Sequence, residues 1–255
     1  MIEVRNLNYN IGRLDILSNI NLKIDKNDIV VIVGENGSGK TTLLKSIASL
    51  IKYQGDIFIN NNHMKKLKHI DRAKIVSYLP QNCVRTNIMV STLVKHSRFP
   101  YLKFGEELKK SDFEAIENAI SITKIENILH KKVTEISGGE RQLAYLTMVI
   151  AQNSDVVLLD EPNTFLDISH QLFLLRVIKE MKEQGKTVII VLHDIIQAIE
   201  IADKIVVVHN GEIADYGRPN EVIGSVENIF NVKIAETLKI DYDENVPLYK
   251  YTLIN

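Results

Sequence analysis

The sequence predicts an α/β fold: a largely parallel sheet, an antiparallel β subdomain at the N-terminal end and an α-helical subdomain inserted in the middle. Three observations carry this. Short apolar runs rich in β-branched residues recur at Ile29-Val30-Val31-Ile32-Val33, Val156-Val157-Leu158-Leu159 and Thr187-Val188-Ile189-Ile190-Val191-Leu192, each the length of a buried strand. The first feeds a glycine-rich loop and then Leu43, Leu44, Ile47, Leu50 and Ile51 at helical spacing, a strand, loop and helix in succession. From about residue 85 to residue 150 strand patterning gives way to helical periodicity.

Residues 2 to 33 read as a meander. Its pieces are Ile2 to Leu7, Ile16 to Ile24 with Ile20, Leu22 and Ile24 alternating inward, and a turn at Lys26-Asn27-Asp28 ahead of the third strand. Tyr9 lies in the first hairpin and by itself reads as a half-buried strand residue. The loop Gly34-Glu35-Asn36-Gly37-Ser38-Gly39-Lys40-Thr41 matches in full the pattern of Gly, four residues, Gly, Lys, then Ser or Thr. Its glycines permit positive φ and close backbone approach, so successive N–H groups and a helix N-terminus can surround phosphate oxygens. Lys40 can reach those oxygens as a point charge, the Thr41 hydroxyl suits Mg²⁺, and Thr42 can donate to a neighbouring phosphate. A nucleotide is the ligand this implies.

Further strands are expected at Ile57-Phe58-Ile59 and from Ile75 to Leu79, the latter ending at Pro80-Gln81, where an amide oxygen can hold a metal or a water. In the helical stretch, Ser111 and Glu114 read as a capping box opening a helix with Phe113, Ile116 and Ile120 on one face, and Thr123 with Glu126 as a second. Ser137-Gly138-Gly139-Glu140-Arg141-Gln142 precedes an apolar helix from Leu143 to Ala151. A hydroxyl and free N–H groups at a helix start make a second candidate anion site beside the plainer reading of an N-cap.

The strand ending at Leu159 delivers Asp160-Glu161-Pro162 to the carboxyl edge of the sheet, where ligands bind in such folds. There Asp160 can hold Mg²⁺ and Glu161 can orient or deprotonate a water. Asp167 leads into a helix with Leu172, Leu175 and Ile178 on one side. His193 follows the next strand to the same edge, with Asp194 and Gln197 opening a helix. Asn210-Gly211 marks a hairpin, and from about Ser225 a short helix and a last hairpin turning at Asp243-Glu244-Asn245 are expected.

Composition sets broad limits. With 255 residues, 45% hydrophobic and 25% charged, the chain can build one large domain or two packed lobes. A net charge of -1 gives no electrostatic case for nucleic acid. The N-terminus lacks a secretory pattern and no apolar run approaches the ~20 residues of a membrane span, so a cytosolic location is expected. The single cysteine, Cys83, reads as a small buried hydrophobe in a reducing compartment.

In their order along the chain, Tyr9, the phosphate loop, Gln81, residues 137 to 142, Asp160-Glu161 and His193 resemble the nucleotide-binding subunit of ABC transporters over essentially the whole length. The resemblance implies a P-loop NTPase (RecA-like) core at about 1–84 and 151–224, a helical signature subdomain at about 85–150 and a short extension at about 225–255. It implies ATP and Mg²⁺ as ligands: Tyr9 stacked on adenine, Gly34 through Thr42 on the phosphates, and Thr41, Gln81 and Asp160 at the metal. Lys40, Gln81, Glu161 as base and His193 at the γ-phosphate would form the catalytic set.

Ser137, Gly138 and Gly139 look like the signature loop, which in this family closes over ATP held by the other subunit, and Asp167 matches the loop that crosses between subunits. A head-to-tail homodimer would explain two anion sites in one chain. The resemblance further implies integral-membrane permease subunits, an extracellular or periplasmic binding protein, and a place on the cytoplasmic face of a bacterial membrane. Arg98-Phe99-Pro100-Tyr101, the run from Phe165 to Gln171 and the short tail resemble the iron-chelate, haem and cobalamin importer branch, with ferric siderophore the leading cargo. Ile136, Leu143 and Asn163 depart from the usual signature Leu, the following Arg and the usual Thr.

A soluble ATPase working on DNA, ribosomes or iron–sulfur assembly is the competing class, followed by a regulator without turnover. A DNA clamp needs a long coiled coil between the two loops, yet Lys40 and Ser137 are 97 positions apart without sustained heptads.

Overall fold

A computed structural model describes residues 1–103, 105–164, 166–237 and 250–254. The N-terminal strands β1 (Ile2–Ile11) and β2 (Leu14–Ile24) form a longer hairpin than the apolar pattern alone marks. β3 (Ile29–Val33) runs into the phosphate loop and α1 (Lys40–Ile47). Then follow β4 (Gln54–Ile59), β5 (Asn62–His63), α2 (His69–Ile75) and β6 (Val76–Leu79). The helical stretch holds α3 (Val90–His96), α4 (Lys110–Thr123) and α5 (Gly138–Ala151). β7 (Val156–Asp160), α6 (Ile168–Glu183), β8 (Thr187–Val191) and α7 (Ile195–Ile201) alternate after it. The chain closes with β9 (Lys204–His209), β10 (Glu212–Gly217), α8 (Pro219–Phe230), β11 (Lys233–Thr237) and β12 (Lys250–Ile254).

The central sheet has the order β10-β9-β3-β8-β7-β6, parallel except for β10 at its edge. A second, antiparallel sheet has the order β2-β1-β4-β5. Strand periodicity explains why the central strands read as continuous apolar runs. Ile29, Val31 and Val33 enter the core beneath the helices, whereas Val30 and Ile32 enter the core shared with α1 and the antiparallel sheet. β7, β8 and β9 divide their side chains in the same way. Because β3, β6, β7 and β8 are parallel, the residues just after them all emerge at one edge.

Several local expectations are corrected. Helix α1 stops at Ile47 because Ser49 adopts a left-handed φ of 54°, so Leu50, 60% exposed, and Ile51 lie beyond it. α4 begins at Lys110, with Asp112 rather than Glu114 accepting from the entering N–H, that of Lys109, at 2.9 Å; Phe113 is turned outward. Thr123 ends α4 and donates back to Ala119 O at 2.8 Å, so it caps no second helix; residues 126–128 make a 3₁₀ turn. α6 buries Leu174, Val177, Ile178 and Met181 while Leu172 is exposed.

α2, which buries no residue, has no sequence signature and takes Ile75 out of the strand expected there. α8 starts at Pro219, ahead of Ser225. The last hairpin forms between β11 and β12, and its expected turn at Asp243-Glu244-Asn245 lies outside the described residues, as does Phe165. No helix among the described residues is long and apolar enough to cross a membrane.

Candidate nucleotide site

The phosphate loop is shaped by what its glycines avoid. A Cβ on Gly34 would sit 2.2 Å from the backbone oxygen of Val208, and one on Gly39, whose φ is 103°, would sit 2.7 Å from Leu17 Cδ2 and 2.9 Å from Ile16 O. Gly37, by contrast, faces open space. β2 and β9 thus back the loop on one side and leave its other side free. Leu17 also pairs with Tyr9 across the hairpin, which connects half-buried Tyr9 to the loop through one intervening side chain.

Lys40 is 5% exposed and donates to Gly34 O at 2.9 Å and Glu35 O at 2.8 Å. Burial lowers its pKa, opposed by the carboxylates of Glu161 and Asp160. Ser38 Oγ is buried without a hydrogen-bond partner. A buried ammonium satisfied only by the loop's own carbonyls and an idle hydroxyl, beside an open glycine, fit a chain of phosphate oxygens.

The carboxyl edge brings together most of the other candidates. Thr41 Oγ1 donates to Asp160 Oδ1 at 2.9 Å, and Tyr78 OH donates to Asp160 Oδ2 at 2.9 Å. Asp160 is 1% exposed; burial raises its pKa, and the two hydroxyls oppose that rise. Burial likewise raises the Tyr78 phenol, followed by the charge of Asp160. The hydroxyl of Thr41 and carboxylate of Asp160 are hard oxygen donors of the kind Mg²⁺ selects.

Next along the chain, Glu161 adopts a left-handed φ of 48° that aims its side chain between two neighbours. Gln81 Nε2 donates to its Oε2 at 2.5 Å, and His193 Nε2 lies 2.6 Å from its Oε1. Both oxygens of this 8% exposed carboxylate are therefore occupied. A non-glycine residue held left-handed beside a phosphate cradle marks strain of the sort found at functional sites.

The other candidates lie apart. Ser137 caps α5: its Oγ accepts from Glu140 N at 3.2 Å while Glu140 Oε2 accepts from Ser137 N at 2.8 Å. Ser137 is exposed, Gly138 and Gly139 are partly so, and no hydrogen bond among the described residues joins them to the phosphate loop. Asp167 is an exposed N-cap of α6, accepting from Ser169 Oγ and from His170 N; those bonds hold its carboxyl at about 2. Ile136 and Leu143 are buried in the helical core, so these departures sit in packing positions.

Sequence reasoning missed Tyr78, whose signal is its place on β6 three residues before Gln81, which lies just past that strand's end. It also left Arg98 without a role, although the side chain is buried and pairs with Asp112 at 2.9 Å. Cys83, expected to be buried, is only partly so, and that burial pushes its thiol up to about 12.

The ABC transporter family pattern matches residues 17–164. The probable siderophore transport system ATP-binding protein YusV of Bacillus subtilis is 37% identical, over 92% of this chain and 88% of its own length. The petrobactin import ATP-binding protein FpuC of Bacillus anthracis is 36% identical, over the same 92% and 88%. Among solved structures, a dimeric bacterial ABC transporter cassette superposes with a TM-score of 0.77 at 26% identity, covering 86% of this chain and 99% of that one. A family pattern that covers more than half of the chain, and relatives more than a third identical over 92% of it, place this chain in the ABC transporter family.

Proposed function

We propose that the chain is the ATP-binding and ATP-hydrolysing subunit of an ABC importer that energises uptake of a chelated metal, a ferric siderophore foremost. The observation that carries the catalytic part is Glu161, wedged between Gln81 and His193 beside the Lys40 and Thr41–Asp160 cradle. Relatives named for siderophore and petrobactin transport support the cargo.

In this reading residues 34 to 42 hold the triphosphate, Lys40 leaves the loop carbonyls for the β- and γ-phosphate oxygens, and Tyr9 stacks on the adenine. Thr41, Asp160 and Gln81 would hold Mg²⁺, which would supply positive charge to neutralise the phosphates. Glu161 orients a water in line with the γ-phosphorus and takes its proton, and His193 donates to a γ-phosphate oxygen. In this reading the donor set opposite the phosphate loop does not come from the monomer that holds the loop. The exposed Ser137-Gly138-Gly139 helix start of a second copy supplies it, so that two chains head to tail enclose two ATP molecules, and Asp167 crosses at the same seam.

The dimer docks on integral-membrane permease subunits at the cytoplasmic face of a bacterial membrane, which receive cargo from an extracellular or periplasmic binding protein. No nucleic acid enters this cycle. Deleting the gene and measuring uptake of ferric siderophore, haem and cobalamin tests the cargo. Loss of siderophore uptake alone is expected. Loss of haem or cobalamin uptake instead would reassign the substrate. Unchanged uptake of all three, with the chain recovered away from membranes, would favour the soluble iron–sulfur assembly class.

A further inference from the structure

The segment carrying Gln81 is strapped to α5 at both of its ends. Upstream, Gln152, at the C-terminal end of α5, donates through Nε2 to Ala73 O and to Val76 O at 3.1 Å, the junction of α2 and β6. Downstream, Tyr145 OH donates to Val84 O at 2.8 Å, and Cys83 Sγ lies 3.2 Å from Gln142 Oε1. Gln152 is itself held. Arg98 Nη1 donates to the carbonyls of Ala151 at 2.9 Å and Gln152 at 3.1 Å, Tyr101 OH donates to Gln152 O at 3.0 Å, and the guanidinium stacks 3.9 Å over the Tyr101 ring. Cationic Arg98 thus satisfies orphan carbonyls at the negative end of α5.

We propose that Gln152 and Tyr145 are positioning residues that make residues 73–84 and helix α5 one mechanical body, so that the place Gln81 takes at the nucleotide site fixes where the Ser137 loop at the other end of α5 is presented. A 14-residue helix is about 21 Å long and stiff, so a small rotation at one end displaces the other as a rigid arm. Both straps are hydrogen bonds to backbone of the Gln81 segment, so they act whatever side chains that segment carries. Tyr101 and Arg98 take no part in the nucleotide site; their work is to hold the end of α5 from which Gln152 reaches across.

The clamp matters only if the Ser137 loop closes over ATP on a second copy, the reading advanced above, and the test keeps the two apart. The full chain carrying Glu161→Gln is the parent, and its ATP-driven dimerisation is followed by sedimentation with ATP and magnesium. Gln152→Met and Tyr145→Phe keep side-chain volume and remove the donors. Each should leave ATP affinity of the monomer within twofold of the parent and weaken dimerisation about tenfold, the effect of one or two lost hydrogen bonds. A parent that fails to dimerise contradicts the composite pocket itself. A dimerising parent whose two variants dimerise as well as it does overturns the clamp. So does a variant whose monomer loses ATP affinity and melting temperature in step with dimerisation, because that is the signature of a merely structural role.

Discussion

Replacing Gly39 by alanine isolates how tightly the phosphate loop is backed. Two penalties add. Holding an L-residue at a φ of 103° costs about 1–3 kcal/mol. The new Cβ, 2.7 Å from Leu17 Cδ2 and 2.9 Å from the backbone oxygen of Ile16, must displace a buried side chain and a strand, a further cost of about 1–3 kcal/mol. Gly37→Ala is the internal control, since its φ of 81° carries the backbone penalty while nothing lies within 4 Å of the added atom.

The assay is urea unfolding of the three proteins alongside affinity for a fluorescent ATP analogue. With a slope of about 2 kcal/mol/M, Gly39→Ala should unfold at roughly 0.5–1.5 M less urea than Gly37→Ala. Since Leu17 pairs with Tyr9, Gly39→Ala should also weaken nucleotide binding more than its control. Equal midpoints for the two variants would refute the claim that β2 forms the wall of the loop.

Other consequences follow from the same geometry. Tyr78→Phe removes the hydroxyl on Asp160 Oδ2 and should raise the magnesium needed for half-maximal ATP binding about tenfold, leaving magnesium-free binding unchanged; an unaltered requirement denies Tyr78 an orienting role. Asp167 has its carboxyl depressed from 3.8 to about 2, so its stabilising effect is complete above about pH 5 and is lost as pH falls toward 2. The melting-temperature gap between parent and Asp167→Asn should therefore close as pH falls from about 5 to 2; a gap unchanged over that range contradicts the cap.

What was legible in the sequence was what parallel-sheet burial and phosphate chemistry impose locally. β3, β7 and β8 announce themselves because both faces are buried, and the glycine loop because few sequences can take its backbone. What escaped depends on partners far along the chain. Asp112 rather than Glu114 sets the start of α4 because buried Arg98 draws it inward, and Tyr78 gains meaning only from Asp160, 82 positions later. α1 ends early at a left-handed serine, where no glycine gives warning. The outward turn of Leu172 is equally silent, since periodicity shows that a face exists before it shows which neighbours cover it.

The gathering of Gln81, Glu161 and His193 at one edge was expected from topology, whereas the occupation of both Glu161 oxygens was not. Under the proposed function, Glu161 leaves at least one of these partners when a water and a γ-phosphate enter.

The most direct measurement is the mass and nucleotide content of the Glu161→Gln chain in saturating ATP and magnesium. Without a base to split the nucleotide, the chain should sediment at twice its monomer mass and carry two intact ATP molecules. A chain that stays monomeric while binding ATP, or one that still hydrolyses it at the rate of the unaltered protein, contradicts the shared pocket and the role of Glu161.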